Sequence, residues 1–191
     1  MNNYVEVKIT DQDVARAKTL ARARDAKKKK FGAGRHGNLS KSSEQSHIDG
    51  LYGEIAIAKH FGIELDTEIY DDHGDLGYDF LIPDPEFEGF YLRADVKTAI
   101  SGAAYMNPWL KVPAHYKKDQ KKIDNCDIFI ACYYNSRKSL AYIQGWVTKE
   151  TLMNREKERI KLNKGGLGPW NYIVKKEEFK NIRDLALTHT K

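Results

Sequence analysis

The chain has 191 residues, with 32 Lys and Arg against 27 Asp and Glu, and 41% hydrophobic and 31% charged residues. That balance excludes a disordered or fibrous chain and suits one globular domain with a real core. No apolar run approaches the roughly 18 residues of a membrane helix, and the net charge of +5 permits a polyanionic partner without demanding one.

Residues 5–9 alternate and predict a short edge strand. Thr10 then reads as a helix N-cap, with Asp13 three positions on as a near capping box. The basic helix that follows spans 11–30, with Val14, Ala17, Leu20 and Ala21 on its apolar side. Its end carries Arg22, Arg24 and Lys27 to Lys30. Basic side chains suit a helix C-terminus through the macrodipole, and they also suit phosphates; both readings stand. Residues 31–43 form a Gly-, Ser- and Asn-rich loop with Arg35, His36 and Lys41.

Ser43 caps a second helix over 44–61, closed by Gly62. Ile48, Leu51, Ile55 and Ala58 form its stripe, and Gly50, Gly53 and Ala56 let a sheet approach closely. Glu54 is the carboxylate within that small-residue segment. Residues 66–69 predict a strand. Residues 71–75 form an acidic turn whose spacing fails the calcium-loop pattern. Residues 78–82 read as a short strand, and the prolines of 83–89 end it.

Residues 90–100 predict the strand around which the chain is organised. Tyr91, Arg93, Asp95 and Lys97 fall on one face, with Leu92, Ala94 and Val96 on the other. A solvated strand face accounts for Asp95 and Lys97 taken alone. Asp79 and Glu54 upstream make them members of a set.

An irregular segment with Tyr105, Asn107, Pro108, Trp109 and Lys111 follows, and 116–122 is polar and basic. Residues 127–134 read as a buried strand, with 139–147 as its hairpin partner. Thr148 caps a helix over 149–161, a Gly-rich loop leads to a short strand at 172–174, and a last helix spans 176–186. The C-terminal helices thus occupy 149–187. The two cysteines, Cys126 and Cys132, flank one apolar strand and read as buried thiols. The N-terminus lacks a secretory pattern, so the cytoplasm is the expected location. The whole is expected to be one α/β domain over 1–191, with a core at about 44–147 and a central mixed sheet of four or five strands flanked by helices.

Helix Glu54, strand Asp79 and the tripeptide Asp95-Val96-Lys97, in that order, resemble the PD-(D/E)xK nuclease superfamily. This is the fold of many restriction enzymes, Holliday-junction resolvases and phage or repair exonucleases. The resemblance spans roughly 44–147, and 143–147 ahead of a helix is similar to the tail of phage and restriction-type nucleases. It implies a restriction-endonuclease-like core, catalysis by Glu54, Asp79, Asp95 and Lys97, and Mg²⁺ held by Glu54, Asp79 and Asp95, with Mn²⁺ able to substitute. The likeness to phage nucleases also admits action in a host cytoplasm.

The literal Pro-Asp of the motif is Pro83-Asp84, and the competing aspartate is Asp79. A hairpin centred near Glu86 or Phe87 sets Asp79 opposite Ala94 or Asp95, and leaves Asp84 about five residues from Asp95. At about 3.4 Å per residue that is roughly 17 Å, beyond a single ion whose oxygen ligands sit at about 2.0–2.6 Å. Asp79 is therefore the expected ligand, and Asp84 a turn residue.

Cutting a phosphodiester needs an activated water and compensation for charge on phosphorus. Hard carboxylate oxygens suit Mg²⁺. Lys97 would orient or help deprotonate the water and offset phosphate charge. Arg35, Lys41, Lys111, Lys117, Lys118, Lys121 and Lys122 are expected to flank the cleft and contact phosphates. The expected function is a Mg²⁺-dependent DNA endonuclease. Dimers are frequent among such endonucleases, which by analogy admits a homodimer here. Two other readings compete: a non-catalytic nucleic-acid-binding or assembly protein on the same fold, and an unrelated α/β domain with decorative charges. A retained Glu, Asp, Asp, Lys set favours the enzyme.

Overall fold

A computed structural model describes residues 4–30, 43–69, 77–101, 109–114, 117–161 and 167–185. The loop carrying Arg35 and Lys41, the acidic turn at 71–75, and Tyr105, Asn107 and Pro108 lie outside the described residues.

Strand β1 (Val5–Lys8) leads into helix α1 (Asp11–Lys30). Thr10 and Asp13 cap its start reciprocally. The Asp13 N–H donates to Thr10 Oγ1 at 3.2 Å, and the Thr10 N–H to Asp13 Oδ2 at 2.7 Å, satisfying donors that a helix start leaves orphaned. Helix α2 (Ser43–Phe61) ends on Gly62 at φ 65°. The Ile63 N–H returns to Ala58 O at 3.0 Å, closing a Schellman turn that needs the left-handed residue. Lys59 on α2 ties the two helices together by donating to Asp13 Oδ2 at 2.6 Å.

Strands β2 (Phe80–Pro83) and β3 (Tyr91–Ser101) form an antiparallel hairpin, with Phe80 opposite Ala94 and Pro83 opposite Tyr91. Then come β4 (Trp109–Pro113), α3 (Lys117–Asn125), β5 (Ile128–Asn135) and β6 (Leu140–Thr148). Helix α4 (Lys149–Met153), β7 (Lys157–Lys161) and β8 (Leu167–Lys175) follow. The main sheet is mixed and five-stranded, ordered β1-β6-β5-β3-β2, with β3 and β5 parallel. A second sheet, β4-β8-β7, is antiparallel. The protein is thus α/β, as its patterning implies.

The main sheet is covered on both faces. On one, Leu51, Ile55 and Ala17 of the helices pack with Val96, Ile130, Cys132 and Ile143. On the other, Phe129, Ala131 and Val147 pack with Ile123, Leu152, Leu110, Val112, Tyr172 and Val174. Every residue of β5 is buried, which is why it reads as a continuous apolar run rather than an alternating one. Cys126 and Cys132 are buried and free. No helix among the described residues is long and apolar enough to cross a membrane.

Several expectations are corrected. The short strand expected over 78–82 is β2, which starts at Phe80 and runs on to Pro83, so Asp79 stands just ahead of the strand rather than on it. Residues 66–69 form no strand. Asp66 Oδ1 accepts from the Glu68 N–H at 2.8 Å, while Arg24 and Lys27 donate to the carbonyls of Asp66 and Ile69 at 3.1 and 2.7 Å. Basic side chains from α1 therefore satisfy backbone groups that a ladder would otherwise hold. The helix expected over 149–161 is only α4. Its single buried residue is Leu152, and the next positions of that stripe, three and four residues on, are the charged Arg155 and Glu156. Lys157 to Lys161 pair with β8 instead, and the Lys157 ammonium lies 5.3 Å from the Tyr172 ring centroid.

The last helix is replaced by two 3₁₀ turns, Lys176–Glu178 and Ile182–Leu185. Between them Lys180 bridges Trp146: the Lys180 N–H donates to Trp146 O at 2.9 Å, and the Trp146 N–H to Lys180 O at 3.1 Å. An α-helix could not offer those groups outward. Finally, β4 and a longer β8 replace an irregular segment and a three-residue strand, because together they roof the second core.

Candidate functional site

β3 is eleven residues long, but β2 pairs only with its first four. From Asp95 onward, the outer edge of β3 has no strand partner among the described residues. Asp79 stands at the point where pairing stops. Its N–H donates to Ala94 O at 2.8 Å, and its Oδ2 accepts from the Val96 N–H at 2.7 Å. The carboxylate thus extends the ladder by one rung. Continuing the register by one residue sets Asp79 opposite Asp95, on the same sheet face.

Asp95 is buried, and Lys97 Nζ lies 2.5 Å from Asp95 Oδ2. This pair shares the face of Phe129 and Ala131, their partners on β5. Glu54 comes from α2 on the other face and reaches the open edge because α2 lies close to β3. A Cβ built on Gly53 would overlap Thr98 Oγ1 and stand 3.1 Å from Val96 Cγ1 and 3.2 Å from Cys132 Cβ. Only glycine permits that approach. Thr98 Oγ1 also donates to Gly50 O at 3.2 Å, fixing the helix on the strand.

The electrostatics place the four groups within one field. Burial raises the Asp79 pKa well above the carboxylate range, and the charges of Asp95 and Glu54 add to that shift. Burial also raises Glu54; Arg24 opposes the rise and Asp95 reinforces it. Burial works against the Lys97 ammonium, but Asp95 and Asp79 outweigh it, so its pKa is raised. Lys97 is therefore held as a cation beside Asp95 and Asp79. Cys126 donates to Gly77 O at 3.1 Å, and burial, reinforced by Asp95, pushes its pKa up to about 12. It stays a thiol beside the cluster.

Two expected phosphate contacts lie outside the described residues, Arg35 and Lys41. Lys117 and Lys118 open α3. Lys121 and Lys122 are exposed on α3, and Lys122 acts on both Glu54 and Lys97. Lys111 lies on β4 with its ammonium 5.3 Å from the Trp109 ring centroid. Asp84 is a turn residue: its Oδ1 accepts from the N–H groups of Glu86 and Phe87 at 2.8 and 3.3 Å.

Arg24 is the residue that sequence reasoning missed as an individual. Its Nη1 stands 3.7 Å from Glu54 Oε2, and both side chains are mostly buried. Only the general basicity of the end of α1 hinted at it. Lys97 thus pairs with Asp95, and Arg24 with Glu54. Among the described residues, no three His, Cys, Asp or Glu side chains already stand as a metal-ligand group. Compared with protein-family models, curated proteins and solved structures, the chain matches none.

Proposed function

We propose that this chain is a Mg²⁺-dependent nuclease that hydrolyses DNA phosphodiester bonds, an endonuclease on a restriction-endonuclease-like core. The observation that carries this reading is Asp79 just ahead of β2, bonded to the Val96 N–H and in register with Asp95, with Lys97 on Asp95. Glu54 joins them electrostatically from the far face. Three hard carboxylates suit Mg²⁺, which takes a few such oxygens and keeps several waters. Asp79 holds the Val96 N–H through one oxygen. A carboxylate offers about four lone-pair sites, so it can serve a cation and the ladder together. When bound, Mg²⁺ supplies Lewis-acid stabilisation of the phosphoryl oxygen and a more acidic water.

The chain's own groups do the rest. Asp79 and Asp95 are fixed by the hairpin register. Glu54 is held by Arg24 and by the close approach at Gly53. Lys97 orients the attacking water and offsets charge on the phosphate. Lys122, on the rim, is suited to a neighbouring phosphate.

A plasmid-nicking assay tests this. Nicking is expected with Mg²⁺ or Mn²⁺, and not in a chelator. Lys97→Ala should lose nicking while keeping DNA binding in Ca²⁺. A second reading, a non-catalytic nucleic-acid-binding or assembly protein, draws on the neutralisation of Asp95 and Glu54 by Lys97 and Arg24. It predicts DNA binding with no cleavage under any divalent ion.

A further inference from the structure

We propose that the β2–β3 hairpin is an arm through which two copies of this chain associate. Four large apolar side chains crowd it: Leu81, Phe87, Phe90 and Tyr91 are 47, 61, 67 and 60% exposed. Phe87 and Phe90 meet edge to face at 6.3 Å and still leave most of their surface to water. The turn that presents them is built rather than slack. Asp84 Oδ1 accepts from the Glu86 and Phe87 N–H groups, and the Asp84 N–H donates to Phe90 O at 2.9 Å. Gly89, at φ 84°, takes the left-handed position that the reversal requires.

Charge and area select the occupant. Residues 83–91 hold Asp84, Glu86 and Glu88 with no Lys or Arg, a formal −3 in a chain of net +5, which leaves +8 on the remainder. An acidic arm repels a phosphate backbone and attracts a basic protein surface. The remainder of a second copy carries the opposite net charge. Aromatic side chains of this size offer about 150–250 Å² each, so at these exposures the arm carries roughly 400 Å² of apolar surface. In a two-fold dimer each copy gives one arm and receives one. Each copy then contributes roughly 800 Å², the size of a standard interface. This inference is independent of the nuclease reading.

Sedimentation velocity of the full chain, from about 1 to 100 μM, tests it. A monomer–dimer equilibrium that weakens with salt is expected. Phe87→Ser with Phe90→Ser should weaken it at least about tenfold, and Glu86→Lys with Glu88→Lys should also weaken it. All four positions are exposed, so the thermal transition of the dissociated chain, read at the lowest concentration, should not move. A wild-type chain that stays monomeric throughout would overturn the proposal, as would a dimer that either variant leaves intact. Single-stranded DNA binding by a monomer, lost in the Phe variant, would show a base-stacking platform and overturn it as well.

Discussion

Replacing Gly53 by Ala tests how Glu54 reaches the edge of β3. The new methyl would overlap Thr98 Oγ1 and press on Val96 Cγ1 and Cys132 Cβ at 3.1 and 3.2 Å. Overpacking of this kind costs about 1–3 kcal/mol. Turning Thr98 aside also breaks its bond to Gly50 O, a loss of about 0.5–1.5 kcal/mol. Alanine returns about 1 kcal/mol of helix propensity. The net is a destabilisation of about 2 kcal/mol, or about 4–8 °C in Tm for a chain of this length. Thr98→Ala removes the nearest obstacle, and the remaining contacts need shifts of only a few tenths of an ångström. Gly53→Ala should therefore cost at least about 1 kcal/mol less in the Thr98→Ala background. Urea denaturation of the four proteins in this cycle reads that coupling. A neutral or stabilising Gly53→Ala, or strict additivity, would refute the close approach.

Other substitutions separate the roles of individual groups. Asp95→Ala should abolish both nicking and most Mg²⁺ affinity measured by calorimetry, whereas Lys97→Ala should abolish most nicking and leave metal affinity equal or higher. Asp84→Ala should nick like the parent, because among the described residues its carboxylate bonds within the turn. Arg24→Ala should reduce nicking and weaken metal binding by freeing Glu54, and Arg24→Lys should restore little, since one ammonium cannot reach both Glu54 and Asp66 O as the planar fork does. Asp127 is bonded by Arg93 through Nε, Nη2 and the backbone N–H, and the Arg93 side-chain bond above all holds its pKa below the usual range. That stabilisation is present above the ordinary carboxylate pKa of about 3.9 and lost as pH falls through the lowered value. Asp127→Asn should therefore cost about 1 kcal/mol at pH 7, discounted for the exposure of Arg93, and the gap should close in urea titrations taken at progressively acid pH.

Much of the fold is local enough to read in advance. The Thr10 and Thr148 caps and the Gly62 stop rest on groups within a few residues of one another, and β1, β3, β5 and β6 show in their own alternation or apolar runs. That Asp79 falls opposite Ala94 or Asp95 is legible from the hairpin sum, and the observed register, with Phe80 opposite Ala94, extends to the second. What escapes is set by distant partners. Residues 157–161 are charged enough for either a helix or a strand, and only β8 decides. Ile182 and Leu185 are spaced for a helix face, yet the backbone between the 3₁₀ turns is taken by Trp146. Arg24 lies thirty positions from Glu54, and no spacing rule joins them. The crossing of α1 over α2 brings them together.

The rung formed by Asp79 also bears on how the chain behaves in company. An unpaired strand edge is a template for a neighbouring chain to add its own strand, and buried or inward-pointing charge is one way proteins blunt it. Beyond Ala94 the edge of β3 runs on for seven residues with no strand partner among the described residues, and Asp79 covers its first donor with a carboxylate. Asp79→Ala would strip that cover, leave the Val96 N–H without its acceptor at about 1–3 kcal/mol, and lay open the backbone of that edge. Loss of solubility in that variant is then the expected companion of loss of chemistry. Asp79→Asn, whose amide oxygen can still accept from Val96, should stay soluble, so light scattering of the two variants distinguishes a guarded edge from a merely altered site.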